Sequence, residues 1–149
     1  MTKKILYIDM DNVLVDFESG IRQLDAATRK QFEGHLDDVP GIFSLMIPMQ
    51  GAVEAFHLLA DNFDTYILST SPWDNPTAGS EKLAWIKKYL GEKARKRLIL
   101  SHHKHLNIGD FLVDDRDLKH GIFIGEFIKF GVEPFLNWPF VVNYLMERK

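Results

Sequence analysis

The sequence predicts a three-layer α/β protein with a parallel sheet, on three observations. Short apolar runs alternate with amphipathic stretches, the runs are apolar throughout rather than at every second residue, and four of them end in polar residues. Strands of a sheet covered by helices on both faces are continuously apolar. Polar residues gather at their carboxyl ends because ligands bind along that edge.

Ile5–Asp9 reads as the first strand from its β-branched and aromatic content and the break after it. Glu18–Gly34 reads as a helix, with Ile21, Leu24 and Phe32 set among charges and Gly34 as its stop. His35–Pro48 is irregular, with turns marked by Pro40-Gly41 and Pro48. Between Gly51 and Ala60, Val53, Phe56 and Leu59 recur at helical spacing, and Tyr66–Leu68 is a second strand. A loop over Ser71–Gly79 holds Pro72 and Pro76; Ser80 then caps a helix whose Leu83, Ile86, Tyr89 and Leu90 share a face, ending at Gly91. Leu98–Leu100 and Phe111–Val113 are two more strands, and either Ile122–Ile124 or Phe127–Phe130 supplies an edge strand. Asn137 and Pro139 open a last helix with Phe140, Val141, Tyr144 and Leu145 on its apolar face. Residues 17–48, approximately, stand outside the alternation and are expected to form a small helical insertion over one end of the sheet, within a single domain spanning 1–149.

A chain of 149 residues is long enough to bury a core, and its 46% hydrophobic and 26% charged residues are those of a folded domain. A net charge of −3 gives no basic footprint, which argues against a nucleic acid polymer as partner. Without cysteine there are no disulfides, thiolate metal sites or thiol catalysis, and a reducing cytoplasm is the expected compartment. No apolar run is long enough for a signal-peptide core or a membrane span, so no membrane partner is expected. Nothing in the pattern fixes an oligomeric state.

The chemistry sits at the strand ends. Asp9-Met10-Asp11-Asn12-Val13 follows directly on the first strand. Two acids crowded there raise each other's pKa unless a cation neutralises them, so the pair points to a divalent metal plus a carboxylate free to act as nucleophile or acid/base. Tyr66–Leu68 leads to Ser69-Thr70-Ser71, Leu98–Leu100 to Ser101-His102-His103-Lys104, and Phe111–Val113 to Asp114-Asp115-Arg116. Acids, a hydroxyl, a lysine and more acids are the parts of a phosphoryl-transfer site. Carboxylates hold Mg²⁺, while a hydroxyl and an ammonium bind the phosphate oxygens as charge builds on them.

The order Asp-x-Asp-x-Val, then two apolar residues followed by x-Thr, then Lys, then Asp-Asp resembles the haloacid dehalogenase superfamily of aspartate-nucleophile phosphatases, with their Rossmann-like fold. Within it, Asp9–Glu18, Ser69–Pro72 and Leu112–Arg116 are similar to the 5′(3′)-deoxyribonucleotidases, and the similarity extends through Pro48–Pro72 and Ala84–Arg116. The resemblance implies roles. Asp9 matches the nucleophile that forms an aspartyl-phosphate, and Asp11 the general acid/base whose carbonyl also faces the metal. Thr70, with Ser71 beside it, and Lys104 match the phosphate-binding groups; Asp114 matches a direct Mg²⁺ ligand and Asp115 the acid next to it. The implied activity is Mg²⁺-dependent hydrolysis of a small phosphate ester, with a pyrimidine deoxyribonucleoside monophosphate as the expected substrate. Other small phosphate esters are the enzymatic alternative. A non-catalytic phosphate-binding regulator is a further one, against which the intact Asp9/Asp11 pair argues.

The chain also departs from these relatives. Only 59 positions separate Asp11 from Thr70, room for a reduced cap. Asn12 stands where many relatives have Gly, a turn position that Asn tolerates, and His102-His103 stand where relatives often carry an Arg. Phe17, Phe43 and Trp73 are candidates for a pocket around the base and sugar, with His102 near the phosphate, although packing is the commoner fate of aromatics. His102, His103 and His105 read as solvated or phosphate-neighbouring, not as a zinc site. Arg116 can pair with Asp115 or Asp9 or lie on the surface. A response-regulator receiver domain uses similar groups, but its acidic pair comes early and its lysine last, the reverse of the order here.

Overall fold

A computed structural model describes residues 2–149; Met1 lies outside them. Strand β1 (Ile5–Ile8) leads through a tight loop to the two-residue β2 (Val15–Asp16). The insertion follows: α1 (Phe17–Ile21), α2 (Ala26–Gln31), 3₁₀ turns at Leu36–Asp38 and Ile42–Leu45, and β3 (Ile47–Pro48), which pairs antiparallel with β2. Then come α3 (Ala52–Asn62), β4 (Asp64–Ser69), α4 (Ala78–Tyr89), β5 (Leu98–Leu100), β6 (Phe111–Asp114), β7 (Glu126–Lys129) and α5 (Trp138–Met146).

The five long-range strands form one parallel sheet in the order β5-β4-β1-β6-β7. From β1 the chain winds outward through β4 to β5, then crosses back to β6, so the switch in direction falls between β1 and β6. Both outward crossovers run the same way, and right-handed crossovers then place α3 and α4 on one face. The main core lies there: Leu6, Ile8, Ile67 and Val113 of the strands meet Phe56 and Leu59 of α3, Trp85 and Ile86 of α4, and Val141 and Leu145 of α5. The alternate strand residues Tyr7, Leu68 and Leu112 face the other way. They are covered by Phe123 and Leu118 of the loop between β6 and β7, a smaller cluster to which, among the described residues, no helix contributes a hydrophobic side chain.

The edge strand is Glu126–Lys129, and Ile122 and Ile124 are exposed. The single helix expected over Glu18–Gly34 is two, because each has its own aspartate cap: Asp16 Oδ1 accepts from the Ser19 amide at 3.3 Å and Asp25 Oδ1 from the Thr28 amide at 2.7 Å. Helix α4 starts at Ala78, ahead of the expected Ser80, whose hydroxyl donates instead to the Thr77 carbonyl. Its buried residues are Ala78, Lys82, Trp85 and Ile86, while Leu83 is exposed. In α5, Phe140 points outward and Trp138 takes the buried place. The basic stretch over Lys93–Arg97 is a surface, with Lys93 and Arg97 paired to Asp61 and Asp64.

Hydrogen bonds dock the insertion onto α4 and the loop before it. The Glu81 carboxylate accepts from the Gly41 and Phe43 amides, each at 3.1 Å. Trp85 Nε1 donates to the Met46 carbonyl at 3.0 Å, and Asn75 Nδ2 to the carbonyls of Asp37 and Val39. Gly20 lets α1 approach closely: a Cβ there would lie 2.8 Å from Met46 Cγ. Among the described residues no helix is long and apolar enough to cross a membrane.

Candidate active site

The loop after β1 sets the geometry. The Asp9 amide donates to the Val113 carbonyl at 2.8 Å, extending the ladder by one residue. The Met10 carbonyl then accepts from the amides of Val13, Leu14 and Val15, which folds the chain back sharply. Asn12 takes up the turn with φ 62°, a left-handed conformation that Asn tolerates. From below, Trp138 Nε1 donates to the Val13 carbonyl at 2.8 Å. Met10 is buried in the core, and Asp9 and Asp11 flank it at the sheet edge.

Asp9 is 5% exposed. Lys104, delivered by a 3₁₀ turn over Lys104–Leu106, bridges Asp9 Oδ1 at 2.7 Å and Asp114 Oδ2 at 2.8 Å. The other Asp114 oxygen accepts from the Arg116 amide at 3.1 Å. Asp9, Asp114 and Asp115 each bring an oxygen within 4.8 Å of the others, the one such group among the described residues. Burial pushes Asp9 up to about 6; the Asp11 charge adds to this, and Lys104 opposes it. Burial likewise raises Asp114, helped by the Asp9 charge, and Asp115. For Lys104 burial works downward, but the charges of Asp9 and Asp114 outweigh it and hold the ammonium above its ordinary range.

Of these three crowded acids, Lys104 bonds two. Oδ1 of Asp115 and Oδ1 of Asp11 are buried with no hydrogen-bond partner. An all-oxygen donor set with surplus negative charge and open oxygens fits a hard divalent cation.

Asp11 has a partner that sequence reasoning missed. Lys82 Nζ donates to Asp11 Oδ2 at 3.1 Å, to Ser69 Oγ at 2.6 Å and to the Thr70 carbonyl at 3.0 Å. A signal was present, since Lys82 lies on the same helical face as Ala78, Trp85 and Ile86 and so had to point inward.

Two cavities open beside the acids. One, of about 240 Å³, is lined by Thr70, His102, Lys104 and Asp114 with a basic rim of Lys119 and His120. The other, of about 340 Å³, lies under the insertion and is lined by Asp11, Phe17, His35, Leu36 and Asp115. Arg116 is exposed between them and lines both, and no ion pair of its side chain is found among the described residues. The Thr70 hydroxyl donates to the Ser101 carbonyl at 2.9 Å, and the Ser71 carbonyl accepts from His102 Nε2–H at 2.9 Å. Phe43 lines neither cavity. It is 1% exposed, packed edge-on to Phe17 with centroids 6.0 Å apart, so it backs Phe17 from the core. Trp73 also lines neither; it is 85% exposed and stands edge-on to His102 at 5.7 Å. The His103 ring lies 6.0 Å from that of His105 and 4.9 Å from that of His120.

Carboxylates and ammonium groups concentrated at the switch point of a parallel sheet make a site suited to a divalent cation and a phosphate group. Residues 25–133 match the sequence profile of the family described as "5' nucleotidase, deoxy (Pyrimidine), cytosolic type C protein". A Vibrio phage KVP40 protein named "Putative 5'(3')-deoxyribonucleotidase" is 56% identical over 144 residues, covering 96% of this chain and 85% of that one. A Bordetella bronchiseptica protein of the same name is 32% identical over 142 residues, covering 78% and 76%. The human "5'(3')-deoxyribonucleotidase, cytosolic type" is 29% identical over 143 residues, covering 76% and 71%. The chain belongs to this type C nucleotidase family. Among solved structures, a haloacid dehalogenase-like hydrolase from Burkholderia xenovorans superposes with TM-score 0.46 at 17% identity, covering 77% of this chain and 73% of that one.

Proposed function

We propose that the protein hydrolyses pyrimidine deoxyribonucleoside monophosphates through a phosphorylated Asp9, with Mg²⁺ as its metal. The observation that carries this reading is the buried Asp9 two residues before Asp11, which lines a cavity walled by Phe17. The names of the relatives support the substrate class.

In this reading Asp9, its Oδ1 held by Lys104, attacks phosphorus with its other oxygen. Asp11 gives a proton to the departing sugar oxygen and then takes one from the water that releases phosphate. Lys104 and the Thr70 hydroxyl, with Ser71 beside it, bind the phosphate oxygens, the hydroxyl exchanging its bond to Ser101 for one to the ester. Mg²⁺ would be held by Asp9, the Asp11 carbonyl and the Asp114-Asp115 pair, where it neutralises acid charge and polarises the phosphoryl group. Asp115 has the open oxygen of that pair, while Asp114 is engaged with Lys104 and the Arg116 amide. Residues 17–48 act as a reduced cap over the leaving-group side. A cytoplasmic setting suits a chain without cysteine.

Phe17 is half-buried and offers no polar partner to a ribose 2′-hydroxyl. Burying that hydroxyl unpaired costs roughly 1–3 kcal/mol, so kcat/KM for dUMP should exceed that for UMP by about ten- to a hundredfold. Phe17→Ala should narrow the ratio. Equal values in the wild type would remove the sugar-selective pocket and leave a hydrolase of other small phosphate esters.

A further inference from the structure

Lys82 is a buried cation to which the scheme above gives no task. It is 0% exposed, and its three acceptors, Ser69 Oγ, the Thr70 carbonyl and Asp11 Oδ2, use all three protons of the ammonium. The Phe43 ring, 4.6 Å from Nζ, closes the remaining side with an aromatic face. A cation leaves water only where its hydrogen bonds are replaced, so a site this completely satisfied is built for its occupant.

A purely structural lysine tying α4 to β4 accounts for the contacts to Ser69 and Thr70. It does not account for the third, which reaches 71 positions back in sequence to a half-buried acid on the loop after β1. The two oxygens of Asp11 are unlike: Oδ2 is held by Lys82, and Oδ1 is buried with no partner. The residue before Lys82 is Glu81, which holds the Gly41 and Phe43 amides of the insertion.

We propose that Lys82 is the positioning residue of the acid/base step, holding Asp11 by Oδ2 and so setting the orientation of its carboxyl toward the oxygen that leaves with the sugar. The proposal rests on Asp11 being the acid/base. In the first step Asp9 bonds to phosphorus, the P–O5′ bond breaks, and O5′ leaves with that electron pair and takes the proton from the Asp11 carboxyl. In the second, the Asp11 carboxylate takes a proton from water as the water oxygen bonds to phosphorus and the bond to Asp9 breaks. Neither proton passes through Lys82. Because Glu81 and Lys82 are adjacent, one turn of α4 ties the insertion to the orientation of Asp11.

The test compares dUMP with its 5′-bridging phosphorothiolate, in which sulfur replaces O5′ and leaves as a thiolate without needing a proton. Misplacing a reacting group by an ångström costs on the order of a hundredfold, so Lys82→Met should lose about 10–100-fold in kcat/KM on dUMP. On the sulfur ester kcat/KM, which reports the first step, should stay within about threefold, since acid catalysis drops out of that step. A burst of thiol release followed by slow turnover should appear, because the second step still needs Asp11. Equal loss on both esters, or no loss on dUMP, would overturn the proposal. If Lys82→Met does not fold by circular dichroism, Ser69→Ala loosens the same ammonium. It should cost dUMP about 3–10-fold and spare the sulfur ester, and an equal effect on both again overturns the proposal. Wild-type protein inert toward both esters with Mg²⁺ would sink the phosphatase reading itself, and the role of Lys82 with it.

Discussion

Asp9 is asked to be buried and charged at once. Its carboxyl sits at about 6 against an ordinary 3.8, chiefly through burial, so the folded state holds that proton more tightly than the unfolded chain does. The stability contributed by protonated Asp9 is fully present below about pH 4 and is lost as pH rises through about 6. In metal-free protein, Asp9→Asn should therefore melt higher than wild type at pH 8, by up to roughly 3 kcal/mol, with the gain fading toward pH 4. Turnover should vanish in the same variant, since a neutral amide neither attacks phosphorus nor holds a cation well. Thermal melts in EDTA at the two pH values, set beside an assay with Mg²⁺, check both halves; a variant that is active, or less stable at pH 8, contradicts them. Asp9, Asp11, Lys104, Asp114 and Asp115 were legible in the sequence as candidates because polar groups directly behind apolar strands are out of place, and the fold brings all five to one edge. Phe17 is set apart from Phe43 in the sequence by its place six positions after Asp11, in the stretch similar to the relatives; the packing shows that Phe17 lines a cavity and Phe43 lies in the core.

Helix α4 shows where pattern reading fails at the scale of an element. With a lysine at one of its inward positions, the apolar stripe looks rotated, and Leu83 is taken for a core residue in place of Lys82. The insertion misleads for another reason: Asp25 reads as one more surface charge within a helix but in fact caps a new one. The strands of the parallel sheet are legible to within two residues, since their apolar runs are short and bounded by polar groups, but the edge strand is one of two alternatives in the sequence and the two-residue β2 and β3 carry no apolar run at all. The same helix supplies a test of what holds the insertion. Glu81→Ala removes the acceptor of the Phe43 amide and one of two acceptors of the Gly41 amide, which keeps Thr77 Oγ1, and hydrogen bonds to a charged group are worth about 1.5–3 kcal/mol each at best. Since Glu81 is only half-buried, a loss of about 1–3 kcal/mol in urea unfolding is expected, with faster proteolytic cutting within residues 35–48. Unchanged stability and unchanged cutting would mean that Trp85 and Asn75 suffice to dock the segment.

For the whole molecule, the sheet order places β1 between β4 and β6, so residues far apart in sequence meet at one edge. The acids gathered there outnumber the lysine that bridges two of them, and a ligand that binds only the folded state stabilises it. At a hundred times its dissociation constant, Mg²⁺ should add about 2.7 kcal/mol, which for a domain of this size is a rise of roughly 5–10 °C in Tm. Asp115→Asn should blunt that rise, since it neutralises the carboxylate with an open oxygen. A Tm indifferent to Mg²⁺ in the wild type would argue against a metal at this cluster.

The three tryptophans are distributed so that each reports on a different part of the molecule. Trp138 is bonded beneath the loop that carries Asp9 and Asp11, Trp85 is bonded to the insertion, and Trp73 stands in water at the rim beside His102. Indole emission shifts with polarity and hydrogen bonding, so the chain carries its own optical labels. Emission from Trp138 follows the loop after β1, that from Trp85 follows the docking of the insertion, and that from Trp73 follows the rim beside His102. Variants keeping one indole at a time would report separately on the loop, the insertion and the rim when Mg²⁺ or inorganic phosphate is added, in a protein bearing no foreign dye.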